Sequence, residues 1–286
     1  MTNKVRMKGF IGLLFLLPVK MTMAQYYYKD IILNSQAIEK WKAYKQNKTR
    51  AVVLHSFEGN GQPTEGFECT QTIAGDFSTI ITYTKADNLG HASTLTAIYN
   101  TSSGLLKQTI DTSDTYQSTT DYDYDANGKI LSITNTSLET DNQVRSVEKH
   151  IWKYNQNGIA SAMLKIRDNT DTTYVQFTAD EKGNIIEEHP RRNGVALPTV
   201  FYYYNSDNLL TDIVRYNLKA KRLLPDYMFE YDNSKRLSSM LFVHEGSNDY
   251  QRWIYEYNEK GLKARESCYN KKKELLGKIE YEYNYK

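Results

Sequence analysis

Past residue 49 the chain alternates apolar and polar positions with a period of two, in short runs closed by clusters of Gly, Asn, Asp and Ser. Trp253, Tyr255 and Tyr257, for example, alternate with Ile254 and Glu256, which predicts a strand rich in aromatic residues. Asn258-Glu-Lys-Gly261 follows. An Asx residue opening a turn can accept hydrogen bonds from the backbone ahead of it, and Gly at the fourth position accepts a positive φ. A type I turn closed by a left-handed residue is a favoured hairpin connection, and residues 262–269 supply the return strand.

The same phrase returns along the chain. It reads Tyr122-Asp-Tyr-Asp-Ala-Asn-Gly128, Trp152-Lys-Tyr-Asn-Gln-Asn-Gly158, Tyr202-Tyr-Tyr-Asn-Ser-Asp-Asn208, Phe229-Glu-Tyr-Asp-Asn-Ser-Lys235 and Tyr255-Glu-Tyr-Asn-Glu-Lys-Gly261, and breaks off at Tyr281-Glu-Tyr-Asn284. Anchored on its second aromatic, the series runs Tyr99, Tyr124, Tyr154, Ala179, Tyr204, Tyr231, Tyr257, Tyr283, in steps of 25, 30, 25, 25, 27, 26 and 26 residues. A fixed period of this size means one supersecondary unit repeated, each copy burying a face against the next. Asn208 replaces Gly in one turn and tolerates the left-handed conformation, whereas Lys235 should be strained there. The sequence therefore predicts an all-β fold, an antiparallel meander of tandem β-hairpin repeats of about 25–27 residues each. Strand twist accumulates over so many strands, so the sheet must become a curved shell, a superhelix or a barrel.

Upstream, residues 49–55, 67–73, 77–84 and 93–99 read as degenerate strands of the same plan. Ser35 is placed to cap a short helix with Ile38, Trp41 and Tyr44 along one side. Residues 25–50 are assigned as an N-terminal cap, because a repeat array exposes an edge that such a segment could block. Residues 51–286 form one continuous tandem β-hairpin domain, with no linker-like stretch between repeats.

Tyr122-Asp-Tyr-Asp-Ala-Asn-Gly-Lys-Ile-Leu131 resembles the YD repeat of Rhs and teneurin-type proteins, and residues 229–237 and 255–262 match it in part. The resemblance implies hairpins that wind into a large shell. The whole chain is similar to exported tandem-hairpin proteins of Gram-negative gut-type bacteria, some described as porin-like in fold. Those families supply no catalytic residues to carry over.

The ends and the composition narrow the setting. Lys4, Arg6 and Lys8, an apolar run over residues 10–19 and Thr22-Met23-Ala24 before Gln25 read as a signal peptide over residues 1–24, cleaved after Ala24. The expected location is exported: periplasmic, cell-surface or extracellular. No later segment is long and apolar enough for a transmembrane helix. A formal charge of +2 with a pI near 8.2 argues against nucleic acid as a partner, which would need concentrated basic surface. Cys69 and Cys268 are too few for a disulfide framework. In an open meander they would lie tens of ångströms apart, at about 4.8 Å per strand, so two free, half-buried thiols are expected.

Catalytic, metal and cofactor constellations are not found. Asp123, Asp125, Asn127 and Gly128 mimic half a calcium loop, but Thr134 stands where the closing Glu belongs. The five histidines stand in separate units, and Glu187-Glu188 point to opposite faces of a strand. The 24 tyrosines are the candidate feature. Tyr124, Trp152, Tyr154, Tyr202, Tyr204, Tyr231, Trp253, Tyr255, Tyr257, Tyr281 and Tyr283 would form a stripe that is either an aromatic binding surface or a core stripe. The expectation is a non-enzymatic binding or adhesion module whose partner is an extracellular glycan, a cell-surface polymer or a protein. The alternatives are a structural shell protein, an enzyme, and an outer-membrane barrel, for which the Tyr/Glu strands are too short and too polar.

Overall fold

A computed structural model describes residues 26–86, 92–217, 220–243 and 249–285. The signal sequence expected over residues 1–24 and its cleavage point lie outside the described residues, as do His91 and His244. One helix, α1 (Lys29–Gln46), precedes nineteen strands. They are β1 (Thr49–Glu58), β2 (Glu68–Ile73), β3 (Thr79–Lys85), β4 (Ala92–Tyr99), β5 (Leu106–Ser113), β6 (Tyr116–Tyr124), β7 (Ile130–Glu139), β8 (Val144–Tyr154) and β9 (Ala160–Arg167). They continue with β10 (Asp171–Ala179), β11 (Ile185–Arg192), β12 (Val195–Ala196), β13 (Val200–Tyr204), β14 (Leu210–Asn217) and β15 (Arg222–Tyr231). The last are β16 (Leu237–Val243), β17 (Tyr250–Tyr257), β18 (Lys263–Asn270) and β19 (Leu275–Tyr285).

Each strand pairs antiparallel with the next, and β1 pairs with both β2 and β19, Val52 lying opposite Gln71 on one side and Tyr283 on the other. The sheet is a closed barrel. β12 is a two-residue spur on β11, which pairs directly with β13, so eighteen strands form the wall. Of the shapes open to a twisting sheet, closure is the one that removes both edges. The segment before β1 thus has no edge to cover.

The repeats explain how the wall curves. In the turns, Asp125, Asn155, Asp180, Asn205, Asp232 and Asn258 each accept two backbone N–H groups on Oδ1, from the residues two and four ahead. The fourth turn residue is left-handed whatever its side chain: Gly261 has φ 73°, Asn208 60° and Lys235 62°. Just before each turn, at the second aromatic, the ladder slips by one residue, as between Lys153 and Tyr154 or Glu256 and Tyr257. A bulge at that point sharpens the local twist and re-aims the side chain.

The helix departs from expectation. It begins at Lys29, so Ser35 lies exposed within it and caps nothing. Glu188 of β11 supplies the missing acceptor, its carboxylate taking the N–H groups of Tyr27 (3.0 and 2.9 Å) and Tyr28 (3.0 Å). From there α1 touches inward-facing side chains on wall after wall. Asp30 meets His150 on β8, Asn34 meets Tyr124 on β6, and Tyr44 meets Gln71 on β2. Since β11 and β2 stand on opposite sides of the ring, α1 crosses the lumen, its eighteen residues spanning about 27 Å. Its last turn ends beside the Asx turns, with Lys45 donating to the Thr101 carbonyl and the Asn47 side chain to that of Lys260. Trp41 is fully packed there, its indole N–H on the Phe77 carbonyl at 2.8 Å. Gly104 (φ 75°) lets it in: a Cβ at that position would fall 2.6 Å from the indole ring.

Interior side chains form two apolar clusters, one receiving Tyr27 and the other Trp41 and Tyr44. Cys69 and Cys268 are free and fully buried rather than half-buried. Closure brings β2 and β18 to three strand spacings of each other across β1 and β19, about 14 Å. That is far nearer than an open meander allows and still twice the roughly 7 Å reach of a disulfide.

Candidate functional site

Alternation along every strand divides the wall into an inner and an outer face, and the residues of the tyrosine stripe face inward. Trp152, Tyr202, Trp253 and Tyr255 are buried; Tyr124, Tyr154, Tyr204, Tyr231, Tyr257, Tyr281 and Tyr283 are half-buried. The second aromatic of each repeat has a specific contact. Its hydroxyl donates to a backbone carbonyl on the preceding repeat: Tyr124 to Leu106 (2.8 Å), Tyr154 to Ile130 (2.9 Å), Tyr204 to Ile185 (2.9 Å), Tyr231 to Leu210 (2.8 Å), Tyr257 to Leu237 (2.8 Å) and Tyr283 to Lys263 (2.7 Å). Each acceptor stands at the start of the return strand one hairpin back, where a bulge or turn end leaves a carbonyl outside the ladder. Burial pushes the Tyr154 and Tyr257 phenols up to about 12, so these hydroxyls stay protonated donors. Ala179 occupies the equivalent place in the unit between and has no hydroxyl to offer.

Two charged assemblies fasten the helix to the inner face. At one, Glu188 is wholly buried and accepts, besides the two backbone amides, the Tyr202 hydroxyl at 2.7 Å. Burial raises its pKa against the pull of those donors. At the other, His150 lies between two carboxylates, Nδ1 on Asp30 at 2.5 Å and Nε2 on Glu148 at 3.1 Å, and Glu148 also binds Lys165 at 2.8 Å. Burial pulls the imidazole down, but the Asp30 and Glu148 carboxylates outweigh it and lift its pKa to about 9. Burial likewise pushes Glu148 up, and His150 with Lys165 outweighs it, holding the carboxyl near about 2. With both ring nitrogens donating, His150 has no lone pair to act as a base. The geometry is that of a brace.

The outer face has a different character. It carries a lattice of ion pairs, Arg265 with Glu256 (3.3 Å) and Glu280 (3.2 Å), Arg252 with Glu230 (2.5 Å) and His55 with Glu282 (3.0 Å). A lipid-facing Arg or Lys costs about 2–4 kcal/mol at a bilayer midplane and less toward the interfaces, so these pairs weigh against hydrocarbon over this part of the wall. Among the described residues no helix is long and apolar enough to cross a membrane. Over β10 to β15 three tyrosines stand half out of the surface, Tyr174 at 46 %, Tyr203 at 47 % and Tyr216 at 47 % exposure. Tyr203 faces Asp212, which in turn faces Met228, and Tyr216 faces Leu223, so rings and apolar side chains share this face with carboxylates. A groove of about 520 Å³ opens between the turns at 205–208 and 232–235, lined by Asn205, Asp207, Thr211, Glu230 and Asp232. Lys235 bridges it to Asp207 at 2.9 Å, and Thr211 at its edge donates to the Tyr203 carbonyl. The period that exposes the inner stripe is silent about these tyrosines, which obey no repeat; the alternation of strand faces was the one signal that could have found them.

The Asp125 turn spends its side chain on the backbone ahead and does not present a calcium loop. Among the described residues no group of His, Cys, Asp or Glu side chains is arranged to hold a metal ion, His150, Asp30 and Glu148 being joined to one another by hydrogen bonds.

No family model matches the chain, and no curated protein matches it. Solved structures are similar at low identity. A porin-like protein from Bacteroides uniformis is 8 % identical over 83 % of this chain and 97 % of its own, with a TM-score of 0.43. A porin-like protein from Bacteroides vulgatus is 12 % identical over 82 % of this chain and 99 % of its own, with a TM-score of 0.30. The Tc toxin complex TcdB2-TccC3 is 12 % identical over 76 % of this chain but only 16 % of its own, with a TM-score of 0.30. At these scores the similarity carries no functional inference.

Proposed function

We propose that the protein is an exported, non-enzymatic binding module, a plugged barrel that engages a glycan or other cell-surface polymer through its outer wall. In this reading the inner stripe, from Tyr124 to Tyr283, is a core stripe whose hydroxyls hold successive hairpins together. The observation that carries the reading is that half-exposed Tyr203 stands on the outer wall and its carbonyl accepts from Thr211, a residue that lines the groove between the turns at 205–208 and 232–235. An aromatic face beside carboxylate and amide groups suits a sugar, which offers apolar C–H faces and hydroxyl edges.

A screen of glycans and cell-wall polymers with the mature chain, repeated with Tyr203→Ala, Tyr216→Ala and the internal control Tyr154→Phe, tests it. A polymer bound by the parent and by Tyr154→Phe, and weakened at least tenfold by Tyr203→Ala, is expected. Binding that ignores both outer-wall substitutions would remove the surface from consideration. A silent polymer screen beside a successful partner pull-down would transfer the role to protein interaction.

A further inference from the structure

On β17 two neighbouring inward-facing side chains, Trp253 and Tyr255, are each only 3 % exposed. The Trp253 indole N–H and the Tyr255 hydroxyl find no acceptor within the protein among the described residues. A buried donor left without an acceptor costs about 1–3 kcal/mol, so two side by side on one strand call for an explanation. Their surroundings are cationic. Tyr255 lies opposite Glu266 in the ladder, and Glu266 is already committed, to Lys263 at 2.5 Å and to the Tyr281 hydroxyl at 2.6 Å. The Lys263 ammonium also sits 4.7 Å from the Tyr255 ring centroid.

Above this wall, α1 contributes Lys40, which among the described residues has no carboxylate within ion-pair distance and whose ammonium lies 5.4 Å from the Tyr44 ring centroid. Burial, and then Lys263, draw its pKa down to about 8, so it remains an ammonium at neutral pH. Lys40 and Lys263 thus bring two ammonium groups to the neighbourhood of the Glu266 carboxylate, on the wall that carries the two donors without an acceptor. Trp253 is flanked in the ladder by Met240 and Cys268, which gives the same stretch of inner wall an apolar side.

We propose that this region of the lumen, between α1 and β17–β18, binds a small organic carboxylate with an apolar body. The anion would be held by Lys40, Tyr255 and Trp253, and the body would lie against Met240 and Cys268. α1 ends at the Asx-turn mouth of the barrel. The inner face farther from those turns is lined by polar side chains such as Asn135, whose amide donates to Ser118 and Thr120, and this offers a polar route for a charged ligand. The site is independent of the outer-wall groove, and its test uses a different surface and readout.

Benzoate serves as the probe and benzyl alcohol as its uncharged counterpart, titrated at pH 7 into the mature chain and followed by ¹⁵N indole NMR. The Trp41 indole, already donating to the Phe77 carbonyl, is an internal reference. The expected result is a saturable benzoate-dependent shift of the Trp253 indole signal in the millimolar range or below, with Trp41 unmoved and benzyl alcohol at least tenfold weaker. Lys40→Met should weaken benzoate at least tenfold. Trp253→Phe, which keeps the ring and deletes the donor, should weaken it severalfold and keeps the proposal testable should Lys40→Met fail to fold. Equal binding of the alcohol, unchanged affinity in Lys40→Met, or a Trp253 signal indifferent to benzoate in the folded protein would each overturn the proposal.

Discussion

The Tyr204 hydroxyl donates to the Ile185 carbonyl at 2.9 Å, stitching one hairpin to the one before it. Five equivalent bonds run around the barrel, from Tyr124 to Tyr283. An intramolecular hydrogen bond of this kind contributes about 0.5–1.5 kcal/mol net. Tyr154→Phe, Tyr204→Phe and Tyr231→Phe should therefore each lower stability by about 1 kcal/mol, read as a drop in urea midpoint at constant slope. Three unaffected midpoints would show that the hydroxyls are incidental to the wall.

Left-handed positions give a second, graded test. At Gly261 (φ 73°) a Cβ would meet nothing nearer than an Arg236 guanidinium nitrogen at 3.9 Å, so Gly261→Ala isolates the backbone term, about 1 kcal/mol. Gly104→Ala adds a clash with Trp41 and should be markedly worse. Lys235→Gly relieves the same strain, less an exposed ion pair to Asp207 worth about 0–1 kcal/mol, and should be neutral to mildly stabilising. Thermal denaturation should rank Lys235→Gly highest, then Gly261→Ala, then Gly104→Ala.

His150 and Glu148 set a pH window. The imidazole is raised to about 9 in the folded chain from about 6.5 unfolded, so its contribution is complete below pH 6.5 and is lost as pH climbs through 9. Glu148, lowered to about 2, contributes fully above its unfolded value near 4.3 and loses that contribution as pH falls through 2. Lys40 acts oppositely at the alkaline end, since a base depressed to about 8 favours the folded state as pH rises. The difference between parent and His150→Gln isolates the brace: about 3 kcal/mol at pH 6, shrinking as pH rises above 6.5 and largely gone beyond pH 9. A pH-independent difference in urea stability would mean that His150 is not held as an imidazolium.

The charged outer wall predicts how the protein behaves without detergent. The chain from residue 25 onward should purify and remain monodisperse in buffer alone, because burying Arg252, Glu230, Arg265 and Glu256 in lipid would cost several kcal/mol in sum. A requirement for detergent, or spontaneous insertion into vesicles with measurable conductance, would contradict the outer-face assignment.

How much of this was legible in the sequence depended on how far apart the partners lie. The Asx turns were readable because Asn258 and Leu262 are four residues apart, and the strained Lys235 because every other turn of the series holds Gly or Asn at that place. Even so, the same turn at Asn270-Lys-Lys-Lys273 (φ 63° at Lys273) went unread, since it opens toward the other mouth and lies out of phase with the period. Ser35 looked like a cap because local chemistry favours it there. The true acceptor, Glu188, is 161 residues from Tyr27, and no window along the chain contains both. Closure was a choice among three shapes until Thr49 could be seen opposite Tyr285. The inward stripe was visible as a period; that its hydroxyls serve the neighbouring hairpin needed the bulges, which sequence does not mark.

The joint between β1 and β19 sets an order of events at the ribosome. β1 is among the first strands made, and one of its two partners is the last. Through the synthesis of everything between, its outer flank must wait with amides and carbonyls unmatched, a template for any stray extended chain. Zipping that final pair also bears the loop-closure entropy of the whole intervening polypeptide, which makes it the natural slow step. Export machinery that keeps the chain extended until it is fully delivered would suit such a ring better than piecemeal folding in the order of translation.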